Sequence, residues 1–560
     1  MKTKSILLLL FIMLIYTDSK SQWYINPENP AAVCDTNGLQ YNPITFSDGE
    51  DGLYVFWLDS RNDAGYGTRE VYGQHYNSNG IPQWEDNGRL IVQHFSKINS
   101  YGVNRFDDGT MIIGWSTKSP SSSYTDTLLM QKISPEGFKQ WTDDLVMVVF
   151  GFEPNAILSV GPYQIIKDNL SYCVNMTVTY FGGSNGNRMN RFDESGNLFY
   201  PQDGTPEGPI GGVGRADLRS ALNPENDVYL FYSGGNGAGA PLYCMKLSST
   251  NDTVWGPVNV IAGTSGLNYK FDAISDSEGI TFIWEGSGNN TDLFCNRYLS
   301  NGTMDWGGNV VAICNEEGQQ SSFDIEKSGN YYYVTWADAR PTVDPGNYDI
   351  YAQKIDTQGN VMWANNGVEV ISDNTYIPIP KFTLTQENQM IIMHQSTIAG
   401  YVGQLLNDDG SVGWSSVGAQ IGTTSFNPQY EQHDLVRAGN HVIAVWADAA
   451  PSGGADNIYI SPVDTTDVFT GFTRSELKDK LIVYPNPAND LLTIRLFEPH
   501  QFYVINLYTI SGLPVYSKKL NPEITDNEIT LDVQHLNSGI YLMQLQSKDE
   551  QIYRRVIITH

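Results

Sequence analysis

The sequence predicts an all-β protein: an eight-bladed β-propeller closed by its own N-terminal strand, followed by a small C-terminal β-sandwich. Three observations predict it. A unit of about 55 residues repeats, each copy holds four short strands, and the last copy lacks a strand that stands alone at the start of the chain. Seven blades is the alternative, if one faint copy is an insertion.

The repeat is plainest in two stretches. Cys34, Gly38, Gln40, Trp57, Asp59, Arg61, Tyr72, Gln74, Gly80, Trp84, Asn87 and Gly88 recur, at nearly constant spacing, as Cys314, Gly318, Gln320, Trp336, Asp338, Arg340, Tyr351, Gln353, Gly359, Trp363, Asn366 and Gly367. Fainter copies keep a turn glycine followed by tryptophan: Gly137/Trp141, Gly302/Trp306 and Gly410/Trp414. Two are altered, Gly196/Tyr200 and Asn251/Trp255, the latter with the residue that next best tolerates positive φ.

A β-rich run precedes each turn: 54–57, 111–115, 171–180, 228–232, 280–284, 331–336, 390–394 and 441–446. Each unit reads as a first strand such as 40–46, then 54–57, 71–76, and a last strand around 84–92. Gly, Asn, Asp and Ser turns bound the strands. The eighth copy stops after 457–463 without its glycine–tryptophan strand. The stretch from Trp23 to Cys34 matches that missing strand, so pairing it there would close a ring and remove the open edges of a linear array.

The start of the chain has signal-peptide anatomy. Lys2 and Lys4 precede an apolar run from Ile6 to Tyr16, and small residues Ser19 and Ser21 mark cleavage after Ser21. No later stretch reaches the ~18 apolar residues of a membrane span. The expected domains are a leader at 1–21, the propeller at 22–465, a linker at 466–480 and a terminal domain at 481–560. With 33 basic against 62 acidic residues and a net charge of −29, the chain repels phosphate backbones, which argues against nucleic acid as a partner. Five scattered cysteines do not make a disulfide framework. Cys34/Cys314 and Cys244/Cys295 sit at equivalent repeat positions, as small buried side chains do.

The last 80 or so residues change pattern to evenly spaced strands, 491–496, 503–509, 513–518, 528–533, 539–545 and 552–558, which read as a small sandwich. Three segments stand in order: Val483-Tyr484-Pro485-Asn486-Pro487-Ala488, Leu507 to Gly512, and Leu536-Asn537-Ser538-Gly539-Ile540-Tyr541. They resemble the type A C-terminal sorting domain of Bacteroidetes type IX secretion cargo. The resemblance marks Tyr484, Pro485, Asn486, Pro487, Gly512, Gly539 and Tyr541 as its motif residues. It implies partnership with the type IX translocon, shuttle and sortase machinery, removal of the tail, and release or attachment at the cell surface.

Candidate chemistry is sparse. The second-to-third-strand connections, among them 59–68, 116–125, 233–240, 337–347 and 447–456, are long and variable, whereas the opposite hairpins are short and alike. Variable loops on a rigid scaffold are where binding sits, so this face is the candidate surface. Asp59/Arg61 and Asp338/Arg340 stand at its rim as candidate ligand-binding pairs, since a carboxylate and a guanidinium suit a sugar hydroxyl or an acidic group. Their recurrence argues more strongly for tying neighbouring blades together. The repeated tryptophans 57, 115, 284, 336 and 446 invite a sugar-stacking role, but recurrence again favours packing between blades.

Gly182-Gly183-Ser184-Asn185-Gly186 matches the nucleophile-elbow pattern without the helix that elbow needs. The eight histidines have no metal-ligand spacing. Asp59, Asp63, Asp344 and Asp349 would suit calcium, yet no twelve-residue calcium loop surrounds them, so turn-forming acids are the better account and no cofactor is expected. The expectation is a secreted or surface-attached binding protein whose ligand is a glycan or another extracellular macromolecule. An extracellular polysaccharide-degrading enzyme and a structural surface or motility component are the alternatives.

Overall fold

A computed structural model describes residues 30–463 and 481–558, apart from 64–67, 94–97, 119–125, 150–156, 169–170, 181–184, 200–204, 207–217, 235–238, 249–251, 262–265, 288–290, 341–347, 376–378, 397–399, 415–417, 423–432, 450–455, 485–487, 497–501, 510–513, 520–527, 538 and 548–550. The chain forms two compact units, Met1–Asp467 and Val468–His560.

In the first unit the described strands make eight four-stranded antiparallel sheets, seven of them consecutive in sequence. The first sheet is Gln40–Ser47, Leu53–Asp59, Glu70–Tyr76 and Arg89–Val92, and the sixth, its closest repeat, is Gln320–Ser328, Tyr331–Asp338, Tyr348–Asp356 and Val368–Thr375. The second to fifth sheets open at Ile98–Arg105, Ile157–Lys167, Leu218–Leu222 and Leu267–Ser275, and the seventh at Lys381–Leu384. The faint copies each form their own sheet, the third ending in the short strand Thr205–Pro206 and the fourth in Thr253–Asn259.

The eighth sheet comes from both ends of the unit. His433–Ala438, His441–Ala449 and Asp456–Val463 are completed by Ala31–Cys34, with Ala31 opposite Ile460 and Ala32 opposite Tyr459. The first strand of this sheet also contacts Gln40–Ser47 of the first sheet. From the third sheet to the eighth, each opening strand touches the next sheet's opening strand. Trp23 itself lies outside the described residues.

The second strands explain why they dominated the sequence pattern. Every residue of Leu53–Asp59 and of Val228–Ser233 is buried. Alternate side chains face opposite ways. Leu53, Val55 and Trp57 pack with Val436, Ile443 and Ile458 of the eighth sheet, while Tyr54, Phe56 and Leu58 pack with Ile113 and Trp115 of the second. A strand covered on both faces needs apolar residues at every position, not at every other one.

One expectation is corrected. Trp84 does not lie within a last strand spanning 84–92; that strand is only Arg89–Val92. A tight turn, Gly88 N–H to Glu85 O at 2.9 Å with positive φ at Asn87 and Gly88, separates them. Trp141, Trp306, Trp363 and Trp414 likewise precede their strands. The turn frees the indole to face the next sheet.

The second unit has a three-stranded sheet, in spatial order Leu481–Tyr484, Leu491–Leu496 and Glu528–Asp532. Its four-stranded sheet runs Pro514–Lys519, Phe502–Thr509, Gly539–Ser547 and Gln551–Ile558. Leu492, Ile494 and Leu531 from the one share a core with Ile505, Leu507, Met543 and Val556 from the other. Leu481–Tyr484 is a strand that the sequence pattern had not marked.

Candidate functional site

The Asp-x-Arg pairs sit where the second strand ends, and their polar atoms are engaged inside the protein. Asp59 is fully buried. It accepts from the Trp57 indole at 2.9 Å, from the Arg61 guanidinium at 2.6 Å and from the Arg61 amide at 2.8 Å. Arg61 also donates to Asn87 O at 2.9 Å, approaches Cys34 Sγ at 3.0 Å and lies 3.8 Å over the Tyr72 ring. Cys34 belongs to the eighth sheet, so this cluster spans two sheets.

The sixth sheet repeats the arrangement. Trp336 donates to Asp338 at 2.8 Å, Arg340 to Asp338 at 2.7 Å and to Asn366 O at 2.8 Å, and the guanidinium lies 3.6 Å over Tyr351. Cys314, from the fifth sheet, faces Asp338 at 3.6 Å. Burial pushes both thiols up, Cys314 to about 12, so each is a neutral packing group. All five cysteines are buried and unbridged.

A second set of contacts joins the outer parts of neighbouring sheets. Trp84, Trp141, Trp255, Trp306 and Trp363 lie against the next sheet's turn glycine, Gly137, Gly196, Gly302, Gly359 and Gly410 in that order. Four of these indoles donate to the carbonyl two positions before that glycine. The pairs are Trp141 with Glu194 (3.0 Å), Trp255 with Ser300 (3.1 Å), Trp306 with Thr357 (3.0 Å) and Trp363 with Asp408 (3.2 Å). In the third strands, Gln74, Gln353 and Gln404 each accept the amide of the tryptophan that follows their turn, at 2.9, 3.1 and 3.1 Å.

Beside the opening strands lie acids that the sequence pattern had not singled out. Asp434 accepts Thr45 N at 3.0 Å, Asp324 accepts Phe382 N at 3.3 Å, and Glu326 accepts Leu384 N at 3.2 Å. Each carboxylate thus satisfies an amide on the exposed edge of the next sheet, a group that would otherwise lack a partner. A signal existed: Asp272, Asp324 and Asp434 all stand opposite the residue before a repeated tryptophan, in register with Ile283, Thr335 and Val445.

Glu285, next to Trp284, is almost fully buried and accepts Ser322 N at 2.9 Å. Burial raises its carboxyl to about 7 against the pull of that amide and of Lys270. Burial likewise raises Glu326 to about 7, and lifts Asp324 and Asp434 above the usual carboxylate range. Glu285 and Glu326 are therefore carboxyl groups able to hold a proton near neutrality.

The long connections lie on the edge reached by Asp59 and Asp338, and much of them, including Asp344, is outside the described residues. Asp63 accepts from Thr68 N and Oγ1 at 3.2 Å within its own loop, and Asp349 is buried. Among the described residues no three His, Cys, Asp or Glu side chains gather as a metal site. Ser184 is outside the described residues, and the chain continues from Asn185 as strand, not helix.

In the second unit, Tyr541 donates its hydroxyl to Asn537 O at 2.8 Å, closing the turn before strand Gly539–Ser547. Val533 N bonds Asp490 O at 2.9 Å, continuing the pairing of Leu491–Leu496 with Glu528–Asp532 past Leu491 opposite Asp532. Tyr484 ends strand Leu481–Tyr484. Pro485, Asn486, Pro487 and Gly512 lie outside the described residues.

Comparison with solved structures gives distant likenesses. A puromycin hydrolase aligns at 11% identity and TM-score 0.41, over 76% of this chain and 59% of that one, so the chain spans about three fifths of its length. A PL25 ulvan lyase bound to -[GlcA(1-4)Rha3S]- aligns at 12% identity and TM-score 0.38, over 58% and 80%. A Penicillium chrysogenum alpha-L-arabinanase aligns at 13% and 0.33, over 58% and 99%. Among curated proteins none matches the chain. Among the described residues no helix is long and apolar enough to cross a membrane. Residues 482–559, by contrast, match the secretion system C-terminal sorting domain. The second unit is that domain, and the chain that carries it is a cargo of type IX secretion.

Proposed function

We propose that the first unit is a closed eight-bladed propeller that works at the cell surface or beyond it as a binding module, presenting its longer connections to an extracellular glycan or other macromolecule. In this reading residues 1–21 are the leader, 22–465 the propeller, 466–480 the linker where the tail is cut away, and 481–560 the export signal. One observation carries it: the repeated polar residues are engaged in holding sheet to sheet, while the connections beyond Asp59 and Asp338 vary in length from 397–399 to 60–69. A rigid frame with variable loops on one edge suits recognition. Asp59, Arg61, Asp338 and Arg340 then serve the ligand indirectly, by fixing the loop roots.

The test is retention of the mature protein on a panel of extracellular polysaccharides and on the producing cell's surface fraction. Binding that survives Arg61→Lys but is lost when 60–69 is replaced by a short turn supports the reading. Retention on none of these surfaces would remove it.

A second reading, a polysaccharide-degrading enzyme, needs a carboxyl able to hold a proton near neutrality, and Glu285, which burial raises to about 7, is the candidate for that group. Release of sugar products abolished by Glu285→Gln would favour it over the binding module.

A further inference from the structure

The junction between the first and second sheets departs from the repeat at its surface. Between the sixth and seventh sheets the places of Glu85, Arg89, Leu90 and Phe138 are taken by Ala364, Val368, Glu369 and Ser411. The indole-on-glycine contact is kept at both junctions, so the exchanged residues are not required to join two sheets. Around Phe138 they build a fixed surface instead. Glu85 holds the Arg89 guanidinium through two bonds of 2.8 Å, Arg89 also donates to Glu136 O, and the guanidinium lies 4.3 Å over the Phe138 ring. The turn carrying the ring is closed by Gly137 N–H to Ser134 O at 2.8 Å and by Ser134 N–H to Phe138 O at 2.9 Å. One face of the ring is covered, yet Phe138 remains 57% exposed and Leu90 37%. Both line one open groove of about 740 Å³, together with Glu85, Gln93 and Lys139.

We propose that this groove binds a neutral sugar residue of an extracellular glycan, the apolar face of the sugar stacked on the open side of Phe138. The charges select against an ionic ligand. Arg89 is paired with Glu85 and Lys139 with Asp144 at 2.7 Å, so neither a carboxylate nor an ammonium would meet an unpaired opposite charge. A sugar asks for something else: an exposed, immobile ring for its C–H face, and polar groups beside that ring for its hydroxyls. Phe138 supplies the first. The exposed Glu85 carboxylate and the Gln93 carboxamide supply the second. Because ring and guanidinium are already held, little side-chain freedom is lost on binding. The groove uses no residue of the second-to-third-strand connections, so the inference does not rest on the loop-face reading.

The experiment titrates the mature chain with laminarihexaose, xylohexaose, mannohexaose and cellohexaose in turn. At least one is expected to bind. Phe138→Ala should weaken that binding about tenfold or more without lowering the melting temperature, and Phe138→Trp should restore it. Met362→Ala, which removes another exposed apolar side chain (45%) at the sixth sheet, should change nothing. Hydroxyl-radical footprinting of the unaltered protein should show Phe138 protected by the sugar and Phe199, 53% exposed in the third sheet, unprotected. Binding unmoved by Phe138→Ala but lost when 60–69 is replaced by a short turn would overturn this site and leave the loop-face reading standing. Binding of none of the four sugars, or equal modification of Phe138 with and without sugar, would overturn it outright. Should Phe138→Ala fail to fold, the footprint of the unaltered protein decides alone.

Discussion

The carboxylate of Asp434, in the eighth sheet, accepts both the amide of Thr45 at 3.0 Å and its hydroxyl at 2.8 Å, although the two residues stand near opposite ends of the first unit. Its other oxygen accepts the amide of Leu435 at 3.0 Å. Asp434→Ala leaves three donors to find new partners at the seam, at a cost of about 1–3 kcal/mol. Asp434→Asn keeps one acceptor and is expected to cost less. Urea unfolding of the two variants checks the order.

Gly410 separates two effects that the sequence alone confounds. Its φ is +86°, and a Cβ there would stand 2.9 Å from the Trp363 ring. Gly109 has a similar φ of +82° but nothing within 4 Å of a Cβ. Gly109→Ala is therefore expected to show backbone strain alone, about 1–2 kcal/mol. Gly410→Ala adds displacement of the indole, and the difference between their unfolding free energies measures the contact.

Asp59→Ala removes the acceptor for a buried indole and a partly buried guanidinium together. A loss of about 3–5 kcal/mol is expected, the range for orphaning a buried charge. Asp338→Ala should match it, since Trp336 and Arg340 stand in the same relation. Were these residues instead direct ligand contacts, affinity measured far below the melting temperature would fall more than stability does.

Stability should decline from mild acid toward neutrality. Glu285 and Glu326 hold protons up to about 7 in the folded state because of burial, whereas the unfolded chain releases them near 4.5. Between those values the folded state binds more protons, so stability falls as pH rises and then levels above 7. Asp108 acts oppositely. Burial pushes it up, but hydrogen bonds from Lys167 and Thr110 outweigh burial and hold it at about 2, so its contribution is lost only as pH falls below 4. A melting-temperature profile should peak near pH 4–5, and Glu285→Gln should flatten its upper limb.

Deleting 482–559 should leave the protein inside the outer membrane, checked by comparing culture supernatant and surface-exposed fractions with the periplasm. Tyr541→Phe removes one hydrogen bond, to Asn537 O, and should cost the tail about 1 kcal/mol without stopping export.

By itself the sequence determined the repeat, the second strands and the tail. Leu53–Asp59 and its counterparts were legible because a strand covered on both faces is apolar throughout, and the turn glycines because only a few residues tolerate their φ. The sorting motif was legible because its residues fall in three short segments in fixed order. The tertiary structure decided what the repeated residues do. Asp59 and Arg61 were visible as a pair, but their engagement with Cys34 depends on a neighbouring sheet. Asp434 and Glu285 carried little local signal, since their partners, Thr45 and Ser322, are reached only when sheets pack side by side. A carboxylate that satisfies another sheet's edge is written in one part of the chain and explained in another.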